Sequence, residues 1–255
     1  MRAASASLDG KTALVTGGGS GIGAAIAQAL DRAGADVTLL GRHPGPLAVI
    51  QSTLSQPGRT LVADVTDAAS LDAALGEVEC LDILVNNAGA AESAPFARTD
   101  TAMLERMLAV NLKGAFEVSR RLLPKLRAAA AGRIVNVAST AGLKGYPYVS
   151  AYCAAKHGLI GLTRALAAEL ATTSVTVNAV CPGFTETALL ERSLAAIQAS
   201  TGRMPDEVRA SLARHNPQNR LIAPEEVAAT VLWLCQPAAR GITGQAIAIA
   251  GGEVT

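Results

Sequence analysis

Apolar residues in this 255-residue chain fall into short runs rich in Val, Ile and Leu, separated by longer stretches rich in Ala and Leu. The short runs stand at 12–16, 37–40, 60–63, 83–86, 133–138, 175–180 and 246–249. Their length suits strands covered on both faces, and the stretches between them suit helices. Strand and helix in alternation predict an α/β fold, a doubly wound parallel sheet with right-handed crossovers and helices on both faces. No internal repeat or low-complexity linker divides the pattern, so 10–255 reads as one domain behind a loose, flexible N-terminus at 1–9. The least regular region is 184–223, where Pro205 and Pro217 interrupt a charged helical pattern. An irregular segment following a strand is where a lid over a site is expected.

Composition narrows the partners. Half of the residues are hydrophobic but only 3% are aromatic, so the core is built from Ala, Val, Leu and Ile. The net charge is +1 with no basic run, which argues against nucleic acid and for a small molecule. Cys80, Cys153, Cys181 and Cys235 show no CxxC spacing; reduced thiols, a cytoplasmic location and no metal are expected. No apolar stretch approaches the ~20 residues that cross a membrane, so no membrane span is expected.

The first strand runs into a glycine-rich turn, Thr16 to Gly23, that opens an Ala-rich helix. Gly17, Gly19, Gly21 and Gly23, with Ser20 and Ile22, let the backbone approach a pyrophosphate at a helix N-terminus, where free N–H groups favour an anion. In a Rossmann-type sheet the end of the second strand selects the dinucleotide, because a carboxylate there binds the ribose hydroxyls and repels a 2′-phosphate. Here the chain reads Leu40, Gly41, Arg42, His43. Arg42 in place of a carboxylate favours NADP(H) over NAD(H), although Ser20 supplies no second basic group. Asp64, with Val65 beside it, ends the third strand and is placed to accept from an adenine amino group. Asp67 or Thr66 fits the neighbouring helix cap better. Asn87, Ala88 and Gly89 follow Asn86 at the end of the fourth strand, where small residues let a cofactor ribose pass close and the asparagines pin neighbouring strands.

Tyr152 and Lys156 are one helical turn apart, so the ammonium can lie near the phenol and ease its ionisation. Ser139 precedes Tyr152 by thirteen residues. Taken in order, Thr16, Gly17, Gly21 to Gly23, Asn86 to Gly89, Asn111, Ser139, Tyr152, Lys156, Pro182 and Gly183 resemble the short-chain dehydrogenase/reductase family over essentially the whole chain. The resemblance implies a nicotinamide cofactor, a homotetramer packed through helices at 102–125 and 150–171, and a catalytic set of Asn111, Ser139, Tyr152 and Lys156. Reducing a ketone places negative charge on its oxygen, which calls for a proton donor and a second hydrogen bond. Tyr152 would donate the proton and Ser139 would polarise the carbonyl. Lys156 would lower the tyrosine pKa and bind the nicotinamide ribose, and Asn111 would steady a water beside it. Pro182, Gly183 and Thr185 resemble the segment that meets the nicotinamide carboxamide. In the last strand, Ala250 stands where the family usually has aspartate before the glycine pair.

A Ser/His/Asp hydrolase is disfavoured, since His43, His157 and His215 lie in no nucleophile context. The segments around Ser139, Tyr152 and Asn178 to Phe184 look most like the branch that reduces 3-oxoacyl thioesters and polyketides. Arg192, Arg203, Arg209, Arg214 and Arg220 in the lid region suit an acyl thioester on coenzyme A or a carrier protein. Glu186, Glu191, Asp206 and Glu207 dilute that argument. Two rivals stand. One is a secondary-alcohol, sugar or steroid dehydrogenase with Leu143, Tyr146, Tyr148, Phe184 and Leu189 around an apolar cavity. The other is a non-enzymatic cofactor sensor.

Overall fold

The computed structural model describes residues 7–55 and 58–254. Seven strands form one parallel sheet: β1 (Thr12–Thr16), β2 (Asp36–Gly41), β3 (Arg59–Val62), β4 (Ile83–Asn86), β5 (Arg133–Val137), β6 (Thr176–Pro182) and β7 (Ala246–Ile249), in the order β3-β2-β1-β4-β5-β6-β7. Every expected strand is present within two residues. β6 runs further than expected, through Pro182, because Pro182 still pairs with Ile249 and Gly183 N donates to Ile249 O at 3.0 Å.

Successive strand residues point to opposite faces, and each face is closed by its own helices. Ala13, Val15, Val37, Leu39, Ile83, Val85 and Val135 pack with Ile26, Leu30, Val227 and Val231 of α1 (Gly21–Arg32) and α9 (Pro224–Cys235). Leu14, Leu40, Leu84, Ile134 and Val177 pack with Leu71 of α3 (Ala68–Gly76), Leu122 of α5 (Gly114–Ala128) and Ala167 of α6 (Ser150–Glu169). Leu14 and Leu84 are fully buried. Each such leucine contributes about 2 kcal/mol relative to exposure. The short helix α2 (Pro44–Gln51) covers β2 and β3.

Two expectations need correcting. The flexible terminus expected at 1–9 lies outside the described residues at 1–6, but Leu8 is buried and its N–H donates to Ala33 O at 2.7 Å. An apolar side chain with a satisfied backbone partner anchors the chain before β1. The single helix expected at 102–125 is broken into α4 (Thr101–Leu108) and α5 by a π-helical turn, Ala109–Lys113. Asn111 Nδ2 donates to the carbonyl of Met107 at 3.1 Å, the acceptor to which its own backbone N–H would donate in an α-helix, and so opens the wider turn.

The expected lid region folds into α7 (Ala188–Thr201) and α8 (Pro205–Ala213), joined by Leu190, Leu194, Val208 and Leu221. A parallel bridge from Thr185 to Ile222 closes the base of this excursion.

Candidate active site

The sheet order reverses between β1 and β4, and a crevice opens beyond the carboxyl ends of strands at such a point. The glycine turn occupies it. Gly17 and Gly21 take φ of +65° and +53°, values that disfavour any side chain. A Cβ on Gly23 would collide with Gly17 O and Asn87 Nδ2, so the third glycine is demanded by packing of the turn on itself. Gly17 N donates to Leu40 O at 2.7 Å, tying the turn to the end of β2. Asn87 Nδ2 donates to Thr16 O and Gly17 O at 3.0 and 3.2 Å, and the N–H groups of Asn87 and Ala88 both donate to Thr16 Oγ1 at 3.0 Å. Four hydrogen bonds thus lash the ends of β1 and β4 together.

Ser20 precedes α1 in extended conformation with no side-chain cap, and the first turn carries no acidic residue. Its N–H groups and the positive end of the helix dipole therefore face the turn without a competing anion. Gly19 lies against Pro46 and Ile22 leans on the core. This cradle fits the pyrophosphate of a dinucleotide. Arg42 is exposed just beyond β2, with Nη1 3.8 Å from Asp64 Oδ2. Burial raises the Asp64 pKa, but the Thr66 N–H and hydroxyl, with Arg42, outweigh it and hold the carboxyl below its usual value. Asp67, not Asp64, caps α3, accepting from Ala69 N and Ser70 N. Val65 is buried against Gly114.

Asn86 pins strands as expected: its Nδ2 donates to Asn136 Oδ1 at 2.8 Å on β5 and to Ser119 Oγ at 2.9 Å on α5. Asn136 passes the chain on to Thr163 Oγ1 in α6 at 2.9 Å. This polar thread crosses the core and fixes α5 and α6 against the sheet behind the site.

Of the four residues expected to act together, Asn111 and Lys156 meet at Gly89, and Tyr152 joins Lys156 to Ser139. A Cβ on Gly89 would sit 2.8 Å from Asn111 Oδ1 and 3.7 Å from Lys156 Nζ. Asn111, buried in the π-turn, exchanges bonds with Ala90, donating to its carbonyl at 2.9 Å and accepting from its N–H at 3.3 Å. Lys156 Nζ is buried, donates to Val137 O at the end of β5 at 2.8 Å, and lies 5.7 Å from the Tyr152 ring centre. Ser139 follows β5 and accepts from Ala141 N at 3.1 Å. His157 turns away and pairs with Cys153 O.

The electrostatics correct one expectation. Burial drives the Lys156 ammonium down to about 8 and pushes the Tyr152 phenol up to about 12; the pull that lowers the phenol comes from the Ser139 hydroxyl, not from Lys156. The lysine has turned its proton donors onto Val137 O. Tyr152 is therefore a protonated donor at neutral pH. Cys181, buried beside Lys156, is pushed up to about 11 and is no nucleophile.

On the far side, Pro182 is buried at the end of β6, and Thr185 is buried with its hydroxyl on Gly183 O at 2.9 Å. Thr187 caps α7 and stands over the glycine turn, 3.2 Å from where a Gly21 Cβ would be. The sequence carried its cap signal but not that contact. Tyr146 and Phe184 meet edge to face at 6.0 Å, while Leu143 joins the core and Tyr148 and Leu189 face outward. Arg209 is paired with Glu186 and Glu191, and Arg220 with Glu226. The Arg192 side chain lies outside the described residues. Sequence reasoning missed Glu253: its carboxylate is buried beside Tyr146, and a residue following a turn gives no hint of burial.

Comparison with known proteins agrees with this geometry. The short chain dehydrogenase family model matches residues 11–198. The chain is similar to the 3-oxoacyl-(acyl-carrier-protein) reductase FabG of Rickettsia bellii, at 34% identity over 96% of this chain and 97% of the relative. It is similar also to the D-beta-hydroxybutyrate dehydrogenase of Cupriavidus necator, at 36% identity over 97% and 99%. Among solved structures, an actinorhodin polyketide ketoreductase variant with NADPH superposes with a TM-score of 0.90 at 33% identity, over 95% of this chain and 97% of that one. The 3-ketoacyl-(acyl-carrier-protein) reductase of Brucella melitensis with NADH gives 0.86 at 31% identity, over 97% and 99%. Among the described residues no helix is long and apolar enough to cross a membrane.

Proposed function

Because the chain belongs to the short-chain dehydrogenase/reductase family and is an NAD(P)-dependent oxidoreductase acting on CH–OH groups, we propose that it is an NADP(H)-dependent reductase of 3-oxoacyl thioesters. The observation that carries this reading is the convergence of Tyr152, Ser139, Lys156 and Asn111 beside the glycine cradle. When bound, the nicotinamide cofactor supplies or accepts the hydride. The chain does the rest. Gly17, Gly19, Ser20, Gly21, Ile22 and Gly23 hold the pyrophosphate, and Asp64, Val65, Asn87, Ala88 and Gly89 flank the adenosine and ribose. Pro182, Gly183 and Thr185 orient the carboxamide. Ser139 donates a hydrogen bond to the ketone oxygen, and Tyr152 delivers the proton as charge develops there. A phenol held near 12 keeps its proton at neutral pH until charge develops on the ketone oxygen. Lys156 takes the ribose, and Asn111 keeps the lysine pocket in shape through Ala90.

Arg42, exposed and 3.8 Å from the half-buried Asp64 carboxylate, is placed to swing onto a 2′-phosphate. With this reading go the lid role of 184–223, the homotetramer that the family resemblance implies, and the cytoplasmic location expected from the cysteine spacing. The test follows oxidation of NADPH and of NADH with acetoacetyl-CoA and with a panel of free and cyclic ketones. Faster turnover of NADPH with the thioester is the expected result. Turnover of free ketones alone would make it a secondary-alcohol dehydrogenase; a preference for NADH would remove Arg42 from its role. No turnover with any of them would leave a cofactor sensor.

A further inference from the structure

Beyond β7 the chain makes a tight turn through Gly251 and Gly252, with φ of +61° and +95°, closed by Glu253 N donating to Ala250 O at 3.1 Å. The turn is seated on the base of the lid, since a Cβ at Gly251 would strike Asn216. It delivers the Glu253 carboxylate into the protein, where the side chain is 2% exposed. There Oε1 accepts from Tyr146 OH at 2.5 Å and stands 3.2 Å from Lys144 Nζ and 3.8 Å from His215 Nδ1. Oε2 is held so close to Gly183 that a Cβ there would sit 3.1 Å from it. The Tyr146 hydroxyl also meets Thr140 Oγ1, the neighbour of Ser139, at 2.7 Å. Tyr146, Phe184 and His215 stack mutually with ring centres 5.4 to 6.0 Å apart.

This cluster joins the loop between Ser139 and Tyr152 to the lid, so it forms the substrate-side wall of the site. Two basic side chains stand in that wall, and one buried carboxylate engages both. A substrate bearing its own carboxylate needs an unengaged cation to repay the loss of water; here it meets a cation already paired and a like charge behind it. An ester or thioester of the same chain makes no such demand. We propose that Glu253 is a specificity-determining residue that occupies Lys144 and His215 and so excludes free 3-oxo acids in favour of their uncharged acyl derivatives. The proposal rests on the site being a ketoreductase centre and names the substrates that centre rejects.

The matched pair acetoacetate and ethyl acetoacetate tests it, since the two differ only in the charged end. Turnover of each, and equilibrium binding of each to the protein loaded with NADP+, gives an ester-to-acid ratio whether or not either is reduced. In the wild type the ratio is expected above about 100. In Glu253→Gln it falls at least tenfold, through tighter binding and lower KM of acetoacetate. In Lys144→Met, which leaves Glu253 uncompensated by that cation, the ratio rises. A wild type that takes acid and ester alike, or a Glu253→Gln protein with the wild-type ratio, overturns the proposal. Should Glu253→Gln fail to fold, an unchanged or lower ratio in Lys144→Met overturns it as well. Failure of the thioester reading shows separately, as no turnover of acetoacetyl-CoA.

Discussion

The two halves of the site are built by different means. Around β1 and β4 the cradle is made largely from backbone: glycines with positive φ, a helix N-terminus, and a Thr16–Asn87 lashing in which every bond has a main-chain group on one side. Around β5 to β7 the walls are made from side chains, Tyr146, Phe184, His215 and Glu253, contributed by segments far apart in sequence. A backbone site accepts one shape of ligand group whatever lies beyond it. A side-chain wall is revised by single substitutions, so the variation among substrates of the relatives belongs on that side.

Removing the proton donor should separate the halves most sharply. Tyr152→Phe is expected to lower kcat about 1000-fold while cofactor binding, followed by fluorescence titration, keeps its wild-type affinity. Parallel loss of affinity would mean that the halves are not separable.

Lys156 stands between them. Its folded pKa of about 8 lies below the ordinary 10.5, so between those values the unfolded chain binds more protons and stability rises with pH. The buried charge costs about 3 kcal/mol at neutral pH. Lys156→Met should therefore be inactive yet more stable by up to that amount at pH 7, with the pH-dependent rise in denaturation midpoint abolished. A less stable variant, or an undiminished rise, would show that the ammonium is well solvated.

Gly23→Ala probes the backbone half. The added methyl meets Gly17 O and Asn87 Nδ2, and dinucleotide affinity should fall about a hundredfold. Wild-type affinity would reveal a cradle able to yield. The smallest effect is expected at Arg42, which is mostly solvated. Arg42→Ala should raise KM for NADPH about tenfold and leave NADH alone, and equal change for both would assign the arginine no part in discrimination.

The backbone half was legible in the sequence because its information is local. A strand, a glycine turn and a helix follow one another within about 20 residues, and each glycine answers to a conformation or contact inside that unit. The strands were legible for a similar reason: seven apolar runs have no other use in so long a chain. What could not be read depends on contacts between distant segments. The break at Asn111 comes from an amide that also reaches Ala90, and Glu253 looks like any polar residue after a turn until the lid is folded over it. The Tyr152 and Lys156 spacing correctly placed both on one helix face, but spacing carried no sign that the ammonium would prefer Val137 O to the phenol.

The π-helical turn at Ala109–Lys113 acts as a phase shifter in a long rod. Each residue advances an α-helix by about 100°, so one surplus residue rotates everything downstream by that angle. Upstream, α4 keeps its seam with α6; downstream, α5 has swung to lay Val118 and Leu122 on the sheet and Ser119 on Asn86. Shortening the turn by one residue would restore the uniform screw and leave those three side chains facing the wrong way. The irregularity that turns Asn111 inward is thus also the gearing that lets one continuous rod mesh with two differently oriented neighbours.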